Sequence, residues 1–412
     1  MIDIKEKINC CGCAACASVC AKQAITMLSD SEGFLYPSIN KELCANCGLC
    51  ETVCPIINQY ETRSPLQAYA ASCKDEEIRK QSSSGGIFTL LAESVIKEGG
   101  VVFGAKFDEK WNVVHNWAET QDGIADFRGS KYVQSEIGES YKDVRFFLQQ
   151  GRKVLFSGTP CQIAGLRRFL RRNDKNLLTV DVICHGVPSP LAWHEYLDET
   201  LDYLCIENKE NKNVDYSLVN NPPAITGISF RDKSNGWKKY GFKLSYTTIP
   251  KAPNDLGAIS PLNKNQHVML QPFSDNHFMR GFLANLYLRP SCYACPFRCG
   301  KSGSDITLGD YWGVNMHHPE FDDDKGVSAV IAYTDKGLSA VARTYSNIMP
   351  TELQEIEAKN PSLYRSSELH CNRQRFFSQR SNSFSKRIDH LLRPTLWERI
   401  NIAWYKIKQQ YR

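Results

Sequence analysis

The sequence predicts an α/β (α+β) fold with a small cysteine-rich module in front of it. Three observations lead there. Nine of the seventeen cysteines fall within the first sixty residues of a 412-residue chain. The segments after them alternate short β-branched runs with amphipathic helical patterns, the signature of strand–helix–strand units. Small-residue turns, Ser83 to Gly86 and Gly158-Thr159-Pro160, stand where such strands hand over to helices.

The front module, residues 1–60, is the clearest element. Cys10, Cys13, Cys16 and Cys20 follow the spacing C-x2-C-x2-C-x3-C, and Cys44, Cys47, Cys50 and Cys54 repeat it, with Pro55 closing the second run. This is the ferredoxin-like pattern for two 4Fe–4S clusters, in which each run gives three thiolates to one cluster and its last cysteine to the other. The expected sets are Cys10, Cys13, Cys16 and Cys54, and Cys44, Cys47, Cys50 and Cys20. Paired zinc knuckles compete, but zinc favours four-ligand sets over eight cysteines in two tandem runs. Cys11 is surplus to the pattern and reads as a bystander. Ala21 replaces the proline usual after the first run and removes no ligand. Between the runs, ITMLSDSEGFLYPSIN reads as a hairpin turning at Asp30 to Gly33. Two adjacent clusters mean electron transfer.

Composition narrows the setting. A 42% hydrophobic content is ordinary for a folded protein, and no run of eighteen apolar residues predicts a membrane span. MIDIKEKINC has no apolar stretch of the kind a signal peptide needs. Cysteines at metal-ligand spacing without such a leader predict reduced thiolates and a cytoplasmic chain. The net charge of +5 is unevenly placed: residues 371–412 carry ten basic and two acidic side chains, so the rest of the chain is slightly acidic.

Residues 61–66 read as a linker. A strand is expected over Gln67 to Cys73, then the Ser83–Gly86 turn, then a helix burying Ile87, Leu90, Leu91, Val95 and Ile96. Ser84 is the expected cap and Gly99-Gly100 the stop. Val101 to Phe107 forms the next strand. A glycine-rich turn at a helix N-terminus suits a phosphate, and equally a well-capped helix. The loop Phe127 to Ser135 sets Ser130, Lys131 and Tyr132 beside Gly129, which suits a phosphate and a ring, or a solvated lysine and a half-buried tyrosine. A further unit runs from a helix near Val144–Leu148 through a strand at 154–157 into a helix opened by Pro160. Cys161 then lies at a helix N-terminus, where the dipole favours thiolate. Leu177 to Cys184 is the next strand. Two cysteines thus fall at the carboxyl ends of adjacent strands, where open α/β sheets place active sites.

Residues 205–265 carry little signal: ENKENKNVDY and NNPPAIT read as loops. ISFRDKSNGWKKYGFKLSYTTI reads as a hairpin about Ser234-Asn235-Gly236, and Phe273 to Leu288 as a helix. Cys292, Cys295 and Cys299 form a third cysteine group. Cys292 and Cys295 lack the second pair a zinc knuckle needs, but with Cys161 and Cys184 they make a four-thiolate set. The basic tail, 351–412, ends in the amphipathic stretch LWERINIAWYKIKQQYR. It suits packing on the body or on another subunit, or contact with an anionic membrane surface. No recognition fold accompanies the charge, so nucleic acid is not an expected partner.

SSSGGIFTLLAESVIKEGGVVFGA, GSKYVQS, GTPCQIAGL, DVICHGVPS and SCYAC…SDITLGDYWG together resemble the beta subunit of coenzyme F420-reducing hydrogenases and dehydrogenases, over about residues 1 to 320. GDYWG and RDK…GWK look most like a bacterial branch often associated with polysaccharide genes. The resemblance implies a flavin-binding segment at 67–150, a C-terminal cluster-bearing domain at 151–350, and FAD. It implies Ser83, Ser84, Gly85, Gly86, Ser130, Lys131 and Tyr132 as flavin neighbours, and a third 4Fe–4S cluster on Cys161, Cys184, Cys292 and Cys295, with Cys299 as an alternative ligand. His185 is the candidate proton donor, against a purely structural histidine.

The expected function is an iron–sulfur flavoprotein oxidoreductase. It would relay electrons from a soluble ferredoxin, or a redox partner subunit, through the clusters to FAD. The acceptor would be a small-molecule substrate or a deazaflavin-type coenzyme. The alternative is a non-catalytic electron-transfer subunit of a larger complex.

Overall fold

The first hairpin forms as its turn chemistry dictates. β1 (Ile25–Ser29) and β2 (Leu35–Ile39) pair antiparallel. The Asp30 carboxylate accepts the backbone N–H groups of Glu32 at 2.9 Å and Phe34 at 3.0 Å, and Gly33 takes the left-handed conformation the turn requires. Glu32 ion-pairs with Arg373 at 2.5 Å, so the tip of the cysteine module is clamped to the body. The structure is a computed structural model describing residues 1–210, 223–248 and 265–393.

The body is built on an eight-stranded mixed sheet in the order β13-β3-β12-β11-β7-β6-β4-β5. Its strands are β3 (Gln67–Cys73), β4 (Val101–Phe107), β5 (Val113–Ala118), β6 (Val154–Gly158), β7 (Leu177–Val182), β11 (Ile306–Asp310), β12 (Ser328–Ala332) and β13 (Ser346–Thr351). The central run β11-β7-β6-β4 is parallel, and antiparallel strands extend it on both sides. Central strands such as β12 are buried at every position, as a sheet covered on both faces requires. Strands from 67–150 and from 151–350 share this one sheet. A separate antiparallel sheet, β10-β9-β8, combines β8 (Ala224–Asp232), β9 (Gly241–Thr248) and β10 (Asn265–Pro272), and contains the expected hairpin about Gly236.

The strands β3, β4, β6 and β7 and the helices Ile87–Lys97 and Pro160–Leu170 form close to where periodicity predicts them. Two expectations are corrected, and the linker gains a contact. The helix expected over 273–288 spans only His277–Leu283, because the Asn276 side chain caps its start and Asn285, at φ 60°, turns left-handed after it. The loop expected over 207–216 is helical over its first four residues, 207–210, which close the helix Pro190–Glu210, and the rest of it lies outside the described residues. Trp193, Tyr196, Leu197, Thr200 and Leu204 keep a buried helical period up to that point. The linker 61–66 is pinned: Arg63 donates to the carbonyls of Gly300 and Ser304 at 3.1 and 2.7 Å and lies over the Tyr333 ring. The amphipathic stretch at 396–407 lies outside the described residues. No described helix is long and apolar enough to cross a membrane.

Candidate functional site

In the front module the two runs interleave. Burial, with Cys10 and Cys54 nearby, pushes the Cys16 thiol up to about 12. Cys13 is raised by burial and by Cys16 and Cys54, while its contact with Cys11 opposes the shift. Cys54 feels Cys10 and Cys50. Cys10, Cys13, Cys16 and Cys54 thus lie close together, near enough for neighbouring sulfur charge to help raise the thiols of Cys13, Cys16 and Cys54. Backbone N–H groups already face sulfur: Ile2 donates to Cys50 and Ala24 to Cys20, each at 3.3 Å. These donors and the shared burial fit thiolate ligands of a cluster.

Cys161, Cys184, Cys292 and Cys295 come together from three places in the chain. Cys161 opens the helix Pro160–Leu170 after β6, held by a capping box between Thr159 and Gln162. Cys184 follows β7, the parallel neighbour of β6. Cys292 and Cys295 sit in and just after the short turn Pro290–Ala294. Burial raises Cys184 well above the ordinary thiol range, with Cys292, Cys161 and Cys295 adding to it. Burial, with Cys295 and Cys161 beside it, pushes Cys292 up to about 12. The Val187 N–H donates to Cys292 Sγ at 3.4 Å. Among the described residues, no three His, Cys, Asp or Glu side chains sit close enough to share one metal ion. A four-iron cluster makes no such demand, because each thiolate binds its own iron. Cys299 stays exposed in a left-handed turn beside Tyr333.

Cys11 is placed where sequence reasoning did not look. It is 6% exposed and its thiol adjoins those of Cys13 and Cys161, so it lies between the first cysteine set and the third.

A cleft of about 510 Å³ opens at the carboxyl ends of the parallel strands, the position at which open α/β sheets bind ligands. Its walls include the Ser82–Ser84 turn that follows the short helix Glu76–Gln81, Gly158 and Thr159 at and after the end of β6, Cys184 and His185 after β7, and Asp310 at the end of β11. Cys184 therefore belongs both to the four-cysteine group and to the cleft. Of the expected flavin neighbours, Ser83, Ser84, Gly86, Ser130, Lys131 and Tyr132 line it. Gly85 is buried behind them, where an added Cβ would stand 2.4 Å from the Ala71 carbonyl oxygen.

Ser84 is not the helix cap. Its hydroxyl donates to the Val327 carbonyl at 2.8 Å, and left-handed Gly86 occupies the capping position with no side-chain cap. The Ser84 hydroxyl is spent on the β12 side, so the first turn of the helix Ile87–Lys97, which lines the cleft, keeps its N–H groups free of a side-chain cap. Ser83 Oγ accepts the Ser130 N–H at 2.7 Å and ties the two small-residue loops together. Lys131 donates to the carbonyls of Asp126 and Arg128, and burial pulls its pKa down to about 7 against the pull of Asp126. Tyr132 stacks on Phe282 at 4.7 Å.

His185 is half-buried, and burial lowers its pKa. Its Nε2 lies 2.6 Å from the Asn285 side-chain oxygen. That oxygen accepts, so Nε2 carries the proton and Nδ1 is left basic.

Two features of the cleft escaped the sequence. His115 is 7% exposed; its Nε2 donates to the Ser157 carbonyl at 3.0 Å and its Nδ1 accepts from Ser135 Oγ at 2.9 Å. Burial holds its pKa at about 4, so the ring is neutral. The second is the pair Arg231 and Asp310, contributed by β8 and β11, 2.8 Å apart. The RDK and GWK residue types hinted at a special hairpin, but nothing local linked them to Asp310.

Residues 151–358 match the family model for the C terminus of the coenzyme F420 hydrogenase/dehydrogenase beta subunit, and residues 68–142 match the model for its N-terminal part. Residues 9–56 match a 4Fe–4S dicluster domain. The F subunit of the F420H2 dehydrogenase of Methanosarcina mazei is 21% identical over 189 residues, which cover 42% of this chain and 53% of that protein. An uncharacterised protein of Methanocaldococcus jannaschii is 25% identical over 213 residues, covering 43% and 58%. The matches thus span just over half the length of these curated relatives. A chain of the xenon-derivatised F420-reducing nickel–iron hydrogenase complex of Methanosarcina barkeri superposes with a TM-score of 0.42 at 18% identity, over 78% of this chain and 94% of that one. The C-terminal match spans half of the sequence by itself: the chain belongs to the family of coenzyme F420 hydrogenase/dehydrogenase beta subunits and carries a 4Fe–4S dicluster domain at its front.

Proposed function

We propose that this chain is an iron–sulfur flavoprotein oxidoreductase, relaying electrons from a ferredoxin or a redox partner subunit to a small organic substrate or deazaflavin-type coenzyme. The observation that carries this reading is Cys184, shared by the four-cysteine group and the cleft wall. A cytoplasmic setting, which keeps thiols reduced, is part of it.

Cys10, Cys13, Cys16 and Cys54 would hold one cluster, Cys44, Cys47, Cys50 and Cys20 the second, and Cys161, Cys184, Cys292 and Cys295 the third. When bound, the clusters supply one-electron transfer and FAD collects electrons into a hydride pair. The chain's own part is placement. The uncapped first turn after Gly86 presents N–H donors and a positive helix end to an anion. Ser83 and Ser130 hold the two loops at one spacing, and Gly85 keeps the turn tight against β12. Lys131 braces its own loop through two carbonyls and adds charge below its lowered pKa. Tyr132 offers a ring face, fixed by Phe282. His185 Nδ1 is the basic atom left free to take a proton, which it then returns from the imidazolium.

Protein purified without oxygen should carry about twelve iron atoms and one FAD per chain, counted chemically and by absorption spectra. Four or fewer iron atoms, or no flavin, would overturn the reading. A second reading, the non-catalytic electron-transfer subunit, is supported by the name of a matched relative, which is one subunit of a dehydrogenase. The two part when the reduced protein is offered small acceptors and partner proteins separately. Turnover of a small acceptor in the cleft supports the enzyme, and reduction of a protein alone supports the electron-transfer role.

A further inference from the structure

Five arginines are buried among the described residues: Arg79, Arg231, Arg289, Arg298 and Arg387. Three have carboxylate partners. Arg79 pairs with Asp323 at 2.6 Å, Arg231 with Asp310 at 2.8 Å, and Arg387 with Glu195. Arg289 and Arg298 form no ion pair with any described residue. An isolated buried cation is among the costliest groups a fold can carry, and hydrogen bonds to neutral oxygens orient it without neutralising it.

These two arginines flank the cysteine group. Arg289 is fully buried. Its Nε donates to the Cys10 carbonyl at 2.8 Å, its Nη1 to Gln134 Oε1 at 2.9 Å, and its Nη2 to the Leu35 carbonyl at 2.9 Å and to Cys10 Sγ at 3.7 Å. It lies over the Tyr36 ring at 4.3 Å. From there its charge reaches Cys161 and Cys292. Arg298 contacts a different part of the group. Its guanidinium donates to the carbonyls of Cys184, His185 and Ser362, and its Nε is buried without a partner. Its charge reaches Cys184 and Cys295. Each arginine therefore serves two of the four cysteines, and Arg289 also touches the first set through Cys10.

We infer that Arg289 and Arg298 are the counter-charges of an anionic group held by Cys161, Cys184, Cys292 and Cys295, and that they set its reduction potential. The inference rests on the third-cluster reading above. Four thiolates outweigh the charge of a four-iron core, so the assembly is an anion, and taking up one electron makes it more so. Two fixed cations in a low-dielectric site favour the more negative state, which raises the potential. The four-cysteine site then draws electrons from the front module. Arg289, bonded to Cys10 and facing Cys161 and Cys292, is the charge shared between the two.

The test is a potentiometric titration of the full, cluster-loaded chain with dithionite as the one-electron reductant, followed by electron paramagnetic resonance. Arg298→Gln should lower the reduced-to-oxidised ratio of the third cluster at fixed potential by roughly tenfold, about 59 mV for a one-electron couple, and leave the front clusters unmoved. Arg289→Gln should lower the third cluster and the one bound by Cys10 together, and it serves where Arg298→Gln fails to assemble. Arg298→Lys, which keeps the charge, should restore most of the shift. A third cluster whose midpoint stays put in both Gln variants overturns the inference, as does a Lys variant that shifts as far as Gln. Wild-type protein with only about eight iron atoms instead overturns the third-cluster reading itself.

Discussion

Arg231 on β8 and Asp310 at the end of β11 are 2.8 Å apart in the cleft wall, 79 residues apart in sequence. The other carboxylate oxygen of Asp310 accepts the Trp237 indole N–H at 3.1 Å, and Trp237 stacks on Trp312 with ring centroids 4.6 Å apart. The guanidinium also lies over Tyr240 at 3.9 Å. The RDK…GWK hairpin and the GDYWG turn are thus one structural unit. Asp310→Ala should leave Arg231 buried and unpaired and cost about 3 kcal/mol or more in anaerobic chemical denaturation. Arg231→Met combined with Asp310→Leu should recover most of that loss. A single variant as stable as wild type would show that the pair does not hold the hairpin.

His115 makes stability pH-dependent. Its folded pKa is about 4, below the ordinary 6.5, because burial disfavours the imidazolium. The unfolded chain therefore takes up a proton that the folded chain refuses. The stabilising contribution is complete above pH 6.5 and is lost as pH falls toward 4. The shift corresponds to roughly 3 kcal/mol. Denaturation midpoints measured across this window should fall for wild type and flatten for His115→Gln. Parallel curves for the two proteins would count against the assignment.

Gly86 is the pivot of the anion-facing turn. It sits at φ 86°, and an added Cβ would lie 3.1 Å from Cys73 Cβ. Gly86→Ala is strained on both counts and should cost about 1 kcal/mol or more. The flavin-to-protein ratio should drop while the iron count holds. Loss of both together would mean that the turn supports the fold rather than a ligand.

Gly165 lets the front module dock. A Cβ there would stand 2.9 Å from both Cβ and Sγ of Cys13 and 2.9 Å from the Tyr141 hydroxyl. Gly165→Ala should cost roughly 1–3 kcal/mol through overpacking. It should also disturb the resonance signal of the cluster bound by Cys13 more than that of the set containing Cys44. An unchanged spectrum would argue that the module closes independently of the helix Pro160–Leu170.

Much of the molecule was legible along the chain because the signals are local. The cysteine spacing names a two-cluster module without any tertiary contact. Period-two and period-3.6 patterns place β3, β4, β6 and β7 with their helices, since each element buries one predictable face. The turn at Ser83–Gly86 announces itself by composition. Its cap does not: Ser84 and Gly86 are both acceptable there, and the choice depends on Val327, 243 residues away.

What the tertiary structure decided is what distance in sequence conceals. Arg289 and Arg298 look like ordinary polar residues flanking a C-x2-C, and only their burial without a carboxylate singles them out. Cys11 reads as surplus until the sheet brings Cys161 beside it. His115, near the start of antiparallel β5, and Asp310, at the end of parallel β11, look ordinary in their strands and become part of a site because both reach the same edge of the sheet. Sequence determines the elements and the ligand-bearing motif, because those depend on neighbours a few residues away. Charge balance and the shape of the cleft depend on which elements share a sheet, and that is settled only when the chain folds.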